Sequence, residues 1–258
     1  MTSQEKKPEY ILKNLEEINN LRISGKLSGA LLDYLCSSTQ IGMTTDELNT
    51  LANKWIEQNT DGGCSAFLGY KNFPESICVS INNESVHGIP GNRIIENGDI
   101  VSIDVGVLKN GWYGDTARTI VVGKVTAKKQ RLLDVGLEGL NNAIKLCDRH
   151  HTIGDLSSAM QMTTEVAGYN VIREYGGHGI GRNLHEPPFI ACWGHCNTGL
   201  PIIPGMVLAI EIMVNAGTAG ITHRNDGTVI TKDGSLAVHF EHTVAVLEDR
   251  TEILTQIK

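Results

Sequence analysis

Helical and strand-forming patterns follow one another in long blocks, and this order limits the folds that the chain can adopt. The first 60 residues carry a helical pattern, and residues 65–125 are rich in β-branched residues. Two further helices are expected at about 127–149 and 153–168, before strand patterns such as VLAIEIMVNAG return. The order of helices, strands, helices and strands predicts an α+β fold rather than a strict alternation of βαβ units.

Local signals support the two N-terminal helices and a hairpin after them. Thr44 and Glu47 have the spacing of a capping box at the start of TTDELNTLANKWIEQN. The turn sequence KNG at 109–111 separates two strand-like runs, as in a hairpin. Apolar residues recur at helical spacing near the N-terminus, namely Ile11, Leu15, Ile18, Leu21, Leu27, Leu31 and Leu35.

Size, charge and cysteine content exclude several classes of protein. The chain has 258 residues and a formal net charge of −7, so we expect one domain over residues 1–258 and no DNA partner. The polar start MTSQEKKPEY does not resemble a secretory signal, and about residues 1–10 are expected to form a flexible tail. No run of about 18 apolar residues is present, which argues against a membrane span. The six irregularly spaced cysteines then indicate reduced thiols and a cytoplasmic location.

Two aspartates stand in apolar, strand-like surroundings within VSIDVGVLKNGWYGDTART, residues 101–119. Asp104 and Asp115 flank the turn at 109–111, so in an antiparallel hairpin they can face each other across the ladder. Two like charges in that position are destabilising unless a cation lies between them. The alternative is one aspartate in the turn network and the other exposed to solvent.

Further polar residues stand in comparable settings. The glycine-rich stretch YGGHGIGRNLHEPP contains His178 and His185, and its glycines allow a close approach of the backbone. A single histidine is more often structural, but two in such a stretch make chemistry a real alternative. Glu211 in AIEIMVN and Glu241 in HFEHTVAV are either buried with a partner or directed to the surface. Together, four carboxylates and one imidazole suit two adjacent divalent ions, with Mn, Fe or Co favoured over a thiolate-type zinc site.

Five motifs in a fixed order resemble the methionine aminopeptidases of type I over about Ile11 to Leu247. They are HGIP at 87–90, GDIVSIDVGVLKNGWYGDTAR at 98–118, GGHGIGRNLHEPP at 176–188, PGMVLAIEIMVNAG at 204–217 and TKDGSLAVHFEHTV at 231–244. The resemblance implies the pita-bread fold, a pseudo-twofold, curved antiparallel sheet with helices on its outer face.

The resemblance also implies a metal centre with five ligands, namely Asp104, Asp115, His178, Glu211 and Glu241. Asp115 and Glu241 would bridge two divalent ions per chain, with Co, Mn, Fe and Zn as the candidate metals. His87 would contact the substrate near the scissile amide nitrogen, and His185 would reach its carbonyl oxygen. Glu211 would accept a proton from the water that attacks the carbonyl.

A pocket for the methionine side chain follows from the same resemblance, with Phe67, Tyr70, Phe73, Cys78 and Leu184 as its candidate residues. Phe67 is bulkier than the small residue usual in the family, and Leu184 replaces a common phenylalanine. The family often has a tryptophan after the glycine that corresponds to Gly227, whereas Thr228 follows it here. Trp193 or Phe67 would have to fill that gap from elsewhere in the chain.

The implied activity is removal of the N-terminal methionine from nascent polypeptides when the second residue is small. The implied enzyme is a monomer that associates transiently with the ribosome and has no membrane partner. The family's usual proline after Glu211 is replaced by Ile212, which we expect to change the local backbone slightly without loss of the ligand.

Two alternatives remain at this point. An aminopeptidase P or prolidase would share the ligands, but these enzymes normally carry an extra N-terminal domain that 258 residues cannot hold. They also lack the run EHT, which is present at 241–243. A metal-free binding protein of the same fold would normally have lost some of the ligands, and all five are present here.

Overall fold

The computed structural model describes residues 9–256 of the chain. Its helices are α1 (Leu15–Ser38), α2 (Thr45–Asn59), α3 (Ala127–Lys145) and α4 (Ile153–Val166). Its strands are β1 (Cys64–Ser65), β2 (Ile77–Ile81), β3 (Glu84–Val86), β4 (Ile100–Lys109), β5 (Trp112–Val121), β6 (Asn170–Val171), β7 (Gly176–Gly179), β8 (Glu186–Ala191), β9 (Val207–Asn215), β10 (Ile221–His223), β11 (Val229–Thr231), β12 (Ala237–Val246) and β13 (Thr251–Ile253).

The strands form one large antiparallel sheet and one small one. The path of the large sheet runs β1-β4-β5-β12-β9-β7-β8, with β2 paired to β4, β6 to β9 and β13 to β12. The small sheet has the order β10-β11-β3, and β3 contacts β2, β9 and β12 of the large sheet. This topology confirms the predicted α+β class with antiparallel pairing.

Each half of the large sheet has its own pair of helices. α1 packs on β4 and β5 and contacts α2, whereas α3 packs on β9 and β12 and contacts α4. Buried apolar side chains fill both interfaces, including Leu31 and Val101 in the first half and Leu140 and Phe240 in the second. The two halves therefore have the same construction, and they meet where β5 pairs with β12.

In the first half, strand alternation directs the acidic residues away from the helices. A Cβ atom added to Gly114 would lie 2.6 to 2.7 Å from backbone atoms of Ser24 and Gly25 in α1. Gly114 therefore faces that helix and allows its close approach. Because successive residues of a strand point to opposite faces, the neighbouring Asp115 points to the other side of the sheet.

The second half follows the same rule at Ile212. A Cβ atom added to Gly139 of α3 would lie 2.6 Å from Cδ1 of Ile212, so Ile212 faces that helix. Ile212 is fully buried there, and β9 continues through it in unbroken register with β12. Glu211 consequently points away from α3, to the face of the sheet that also carries Asp115.

The N-termini of the first two helices are capped by their own side chains. α1 begins at Leu15 rather than near Ile11, because the Asn14 side chain accepts a hydrogen bond from the backbone N–H of Glu17 and the Glu17 carboxylate accepts one in return. The capping box predicted at Thr44 is confirmed at the start of α2.

The last two helices are shorter than predicted. α3 ends at Lys145, where hydrogen bonds from Leu146 and Cys147 to carbonyls three residues earlier tighten the last turn. α4 ends at Val166, because Gly168 takes a left-handed conformation with φ of 85°.

A flexible tail is expected over about residues 1–10, and residues 1–8 of it lie outside the described part of the chain. Within the described part, Tyr10 packs against the apolar core of the second half. None of the helices in residues 9–256 combines the length and apolar composition that crossing a bilayer requires.

Candidate metal centre and substrate cavity

The central strands bring the acidic residues together on the face of the sheet away from the helices. Glu241 of β12 is the direct partner of Glu211 on β9 and of Ala117 on β5. Ala117 is in turn the partner of Asp104 on β4, while Asp115 pairs with Gly106. Asp104 and Asp115 are therefore diagonal neighbours on one face, and the direct opposition suggested by the hairpin is not what the register produces.

His178 joins this cluster from β7. It pairs with Ala209, two residues before Glu211 on β9, so both side chains leave the same face. Its Nδ1 lies 2.9 Å from the carbonyl oxygen of Gly179, and its Nε2 lies 3.8 Å from Oδ2 of Asp115. Because Nδ1–H donates to the carbonyl, Nε2 is unprotonated and its lone pair is available to a metal. Burial lowers the pKa of His178, which favours that neutral form.

The donor set passes a simple test for divalent cations. Oδ1 of Asp104, Oδ1 of Asp115 and Oε1 of Glu241 are buried without a hydrogen-bond partner in the described structure. Burial raises the pKa of Asp104 well above its usual value, and the charges of Asp115 and Glu211 raise it further. Burial and neighbouring carboxylates also raise the pKa values of Asp115 and Glu241. Buried, unpaired carboxylate oxygens next to a free imidazole nitrogen are the environment that a divalent ion stabilises.

Within the described structure, Glu211 differs from the other carboxylates because another side chain lies within hydrogen-bond distance of it. Its Oε2 lies 2.9 Å from Nε2 of His239. Burial opposes ionisation of Glu211, but the hydrogen bond and the positive field of His239 outweigh it and lower the pKa. The ligand atoms of Glu211, His239 and Glu241 lie within 4.8 Å of one another, as do those of Asp115, His178 and Glu241.

A cavity of about 730 Å³ opens in front of this cluster. Each of the residues predicted for the site contributes to its wall, namely Phe67, Tyr70, Phe73, Cys78, His87, Asp104, Asp115, His178, Leu184, His185, Glu211 and Glu241. Residues that are up to 174 positions apart in the sequence thus meet around one space, as the motif order predicts.

His87 enters the cavity from a strained position. Its φ is 60°, in the left-handed region that residues other than glycine rarely adopt and that costs on the order of 1–3 kcal/mol. A Cβ atom on the next residue, Gly88, would lie 2.3 Å from the carbonyl oxygen of Val79, so the backbone is fixed closely there. The His87 ring meets the edge of Tyr175 at 5.2 Å between centroids. Desolvation in the cavity lowers the pKa of His87.

His185 is held by an aromatic partner. Its Nδ1 lies 2.8 Å from the Tyr70 hydroxyl, and the two rings stack with centroids 5.2 Å apart. Desolvation, followed by the positive field of His178, lowers the pKa of His185 to about 3. A neutral imidazole that accepts the Tyr70 O–H at Nδ1 carries its own proton on Nε2.

The segment that lacks the family's tryptophan also reaches the cavity. Gly227 lines it with φ of 95°, and a Cβ atom there would meet nothing within 4 Å. Of the two residues considered for the gap, Phe67 lines the cavity, while Trp193 stacks on Arg173 with 5.0 Å from the guanidinium to the ring centre. Tyr175 forms another part of the wall.

His239 and Tyr175 are among the residues of the cavity wall that sequence reasoning did not single out. His239 is two positions before Glu241 on β12, so strand alternation alone places it on the same face. Tyr175 directly precedes the glycine run that carries His178, and its hydroxyl lies 2.9 Å from Nε2 of His223. An aromatic residue next to a glycine-rich stretch was the available signal for Tyr175.

Fold and site together define a metallopeptidase, and sequence comparison agrees. Residues 19–248 match the profile of metallopeptidase family M24, and the chain belongs to that family. Its relatives within the family include a methionine aminopeptidase of Clostridium acetobutylicum, which is 42% identical over 247 residues covering 95% of this chain and 98% of the relative. The chain is thus a member of the methionine aminopeptidase group, and use of divalent metal is confirmed at the level of the family.

Solved structures lead to the same assignment. The crystal structure of methionine aminopeptidase from Rickettsia prowazekii matches with a TM-score of 0.93 and 38% identity, over 96% of this chain and 100% of that one. These neighbours confirm the predicted pita-bread fold. A prolidase from Pyrococcus furiosus shares the fold with a TM-score of 0.77 at 23% identity, and the match covers 66% of that chain.

Proposed function

We propose that the protein hydrolyses the peptide bond after the N-terminal methionine of nascent polypeptides whose second residue is small. The observation that carries the proposal is the cluster of buried carboxylates with unpartnered oxygens at the base of an apolar-walled cavity. The relatives named methionine aminopeptidase, which match over nearly the whole chain, support the choice of substrate.

Five side chains would hold two divalent ions, namely Asp104, Asp115, His178, Glu211 and Glu241. The family resemblance implies that Asp115 and Glu241 would serve both ions, and each of them is buried with one oxygen that has no partner in the described structure. Bound there, the ions would act as Lewis acids toward the scissile carbonyl and lower the pKa of a shared water.

The remaining steps use groups of the chain itself. The Glu211 carboxylate, kept ionised by His239, accepts a proton from the attacking water. The Nε2–H of neutral His185 donates a hydrogen bond to the carbonyl oxygen, where negative charge develops in the transition state. His87 lies across the same cavity and interacts with the amide nitrogen of the leaving peptide.

The cavity wall suits an unbranched, apolar first side chain. Phe67, Cys78 and Leu184 are buried in one apolar cluster, against which Tyr70 and Phe73 pack. These side chains supply apolar contact for a thioether.

Several finer properties belong to the same proposal. The ions would be Co, Mn, Fe or Zn, because carboxylate and imidazole ligands accept all four. A monomer acting in the cytoplasm, with transient association to the ribosome, would meet its substrates as their N-termini emerge. Residues 1–258 would form a single catalytic domain.

The test combines metal removal with a small panel of peptides. Protein stripped by a chelator should lose cleavage of Met-Ala-Ser, and titration with Co(II) or Mn(II) should restore it with two ions bound per chain. Met-Lys-Ser and the dipeptide Ala-Pro should be poor substrates under the same conditions. Full activity in metal-free protein would contradict the metal centre, and preferred cleavage of Ala-Pro would assign the chain a prolidase-like activity instead.

A further inference from the structure

The site contains one buried histidine to which the resemblance assigns no role. His239 is 3% exposed, and on β12 it stands two residues before Glu241. Its partner on β9 is Met213, two residues after Glu211. His239 and Glu211 are therefore diagonal neighbours on the face that carries the candidate metal ligands.

The backbone of His239 is held on both sides by one hydroxyl group. Its N–H donates to Oγ1 of Thr119 at 2.9 Å, and the same hydroxyl donates to the carbonyl oxygen of His239 at 2.9 Å. Oγ1 of Thr119 also lies 2.7 Å from the hydroxyl of Ser102, which leaves little freedom for this segment. A rigid backbone of this kind fixes the origin of the His239 side chain.

The side chain makes one defined contact with a candidate ligand. Nε2 of His239 lies 2.9 Å from Oε2 of Glu211. Within the described structure, Asp104, Asp115 and Glu241 each have a buried oxygen without a partner, whereas Glu211 has none. Glu211 is thus the carboxylate of the set whose orientation the protein secures through another side chain.

We propose that His239 is a positioning residue for the metal centre, whose Nε2–H holds Oε2 of Glu211 so that Oε1 would be available to a divalent ion. The inference rests on the proposed function, since it takes Glu211 as a metal ligand. A ligand that is already oriented loses less conformational freedom when the ion binds, so the contact raises metal affinity. The contrasting role is direct ligation of the ion by the His239 nitrogen. The two roles predict different metal affinities when His239 is replaced by glutamine, whose side chain ends in an amide.

Two substitutions separate these roles. His239→Gln keeps an N–H donor at about the reach of Nε2, whereas His239→Leu has no donor and remains apolar. Metal-free proteins are titrated with Co(II), and the dissociation constant is measured by calorimetry together with the visible spectrum of the loaded protein. His150→Gln is the matched control, because His150 is exposed on the surface.

We expect the Leu variant to bind Co(II) about 10- to 100-fold more weakly, the usual consequence of losing a group that orients a ligand. The Gln variant should stay within a few-fold of the wild type and keep its spectrum, and the control should be unchanged. If Leu does not fold, His239→Asn, whose amide is too short to reach Glu211, takes its place.

Two results would overturn the inference. Wild-type affinity in the Leu or Asn variant would show that the contact does not orient Glu211. A Gln variant as weak as the Leu variant, with an altered spectrum, would identify His239 as a direct nitrogen ligand. Failure of the proposed function is separate, because it would appear in the wild type as absent metal binding or as cleavage without metal.

Discussion

The Tyr70 hydroxyl lies 2.8 Å from Nδ1 of His185, and the two rings stack with an angle of 18° between their planes. When the Tyr70 O–H donates to Nδ1, neutral His185 carries its proton on Nε2. Tyr70→Phe keeps the stacked ring and removes only the hydrogen bond. We expect kcat to fall about 2- to 10-fold, because such a bond contributes about 0.5–1.5 kcal/mol.

Steady-state kinetics on Met-Ala-Ser with metal-loaded protein measure this effect. Metal content should equal that of the wild type, since the Tyr70 hydroxyl is hydrogen-bonded to His185 and, within the described structure, to none of the candidate ligands. An unchanged kcat would mean that stacking alone orients His185.

Substitutions in the cluster should separate metal binding from substrate activation. Asp115→Asn and Glu241→Gln remove charges whose buried oxygens have no other partner, so both variants should lose bound metal as well as turnover. His87→Ala and His185→Ala should retain both ions. For His185→Ala we expect kcat to fall roughly 10²- to 10³-fold, the effect of losing one donor to a developing oxyanion.

Elemental analysis after gel filtration, paired with kinetics, makes this comparison. The unfolding of each metal-free variant provides the control for a general loss of structure. Loss of both ions from His185→Ala would place that histidine among the ligands.

First-residue selectivity should be broader than in relatives with the tryptophan. Gly227 provides no side chain at the cavity, and Trp193 lies over Arg173. We expect methionine to remain preferred, with leucine and norleucine accepted better than by a tryptophan-containing relative assayed alongside. Gly, Ala, Ser or Thr should be needed at the second position. Equal discrimination against leucine in both enzymes would show that other side chains close the slot.

Phe67 should account for much of the remaining selectivity. Phe67→Leu widens the slot, and we expect the preference for methionine over leucine, measured as a ratio of kcat/KM values, to fall by up to about 1–3 kcal/mol. Phe240→Leu is the control, because Phe240 is buried on the other face of the sheet, against α3. A similar loss of preference in both variants would indicate general loosening rather than a specific wall.

Acid should weaken one helix cap in a predictable direction. The Asp155 carboxylate accepts hydrogen bonds from the backbone N–H groups of Asn197 at 2.8 Å and of Thr152 at 2.7 Å, and these bonds lower its pKa. Because the folded value lies below the unfolded one, the contribution is complete above about pH 3.9 and is lost as the pH falls through the folded value. Asp155→Asn should cost roughly 0.3–1 kcal/mol at neutral pH, the usual contribution of a negative charge at a helix N-terminus.

Urea unfolding of metal-free protein measures this cost at neutral pH and at about pH 3. The acidic condition lies below the reference pKa of aspartate. The difference between wild type and Asp155→Asn should shrink in acid, whereas Glu138→Gln on the exposed side of α3 should change little at either pH. A difference that grows in acid would contradict the direction assigned to Asp155.

The sequence was informative wherever chemistry depends on residue type and local spacing. The patterns AIEIMVN and HFEHTVAV left Glu211 and Glu241 either buried with a partner or directed to the surface, and both line the cavity. The family resemblance selected residues that all line the cavity. Helix ends were less accurate, because caps such as the one at Asn14 depend on single hydrogen bonds rather than on periodicity.

What only the tertiary structure decided is which side chains meet across strands that are distant in the sequence. Local pattern could suggest that Asp104 and Asp115 face each other, but the hairpin register makes them diagonal and places Ala117 between Asp104 and Glu241. The contact of His239 with Glu211 likewise depends on how β12 aligns with β9. Alternation along a strand is a property of the local backbone, whereas register between strands is set by the packing of the whole sheet and its helices.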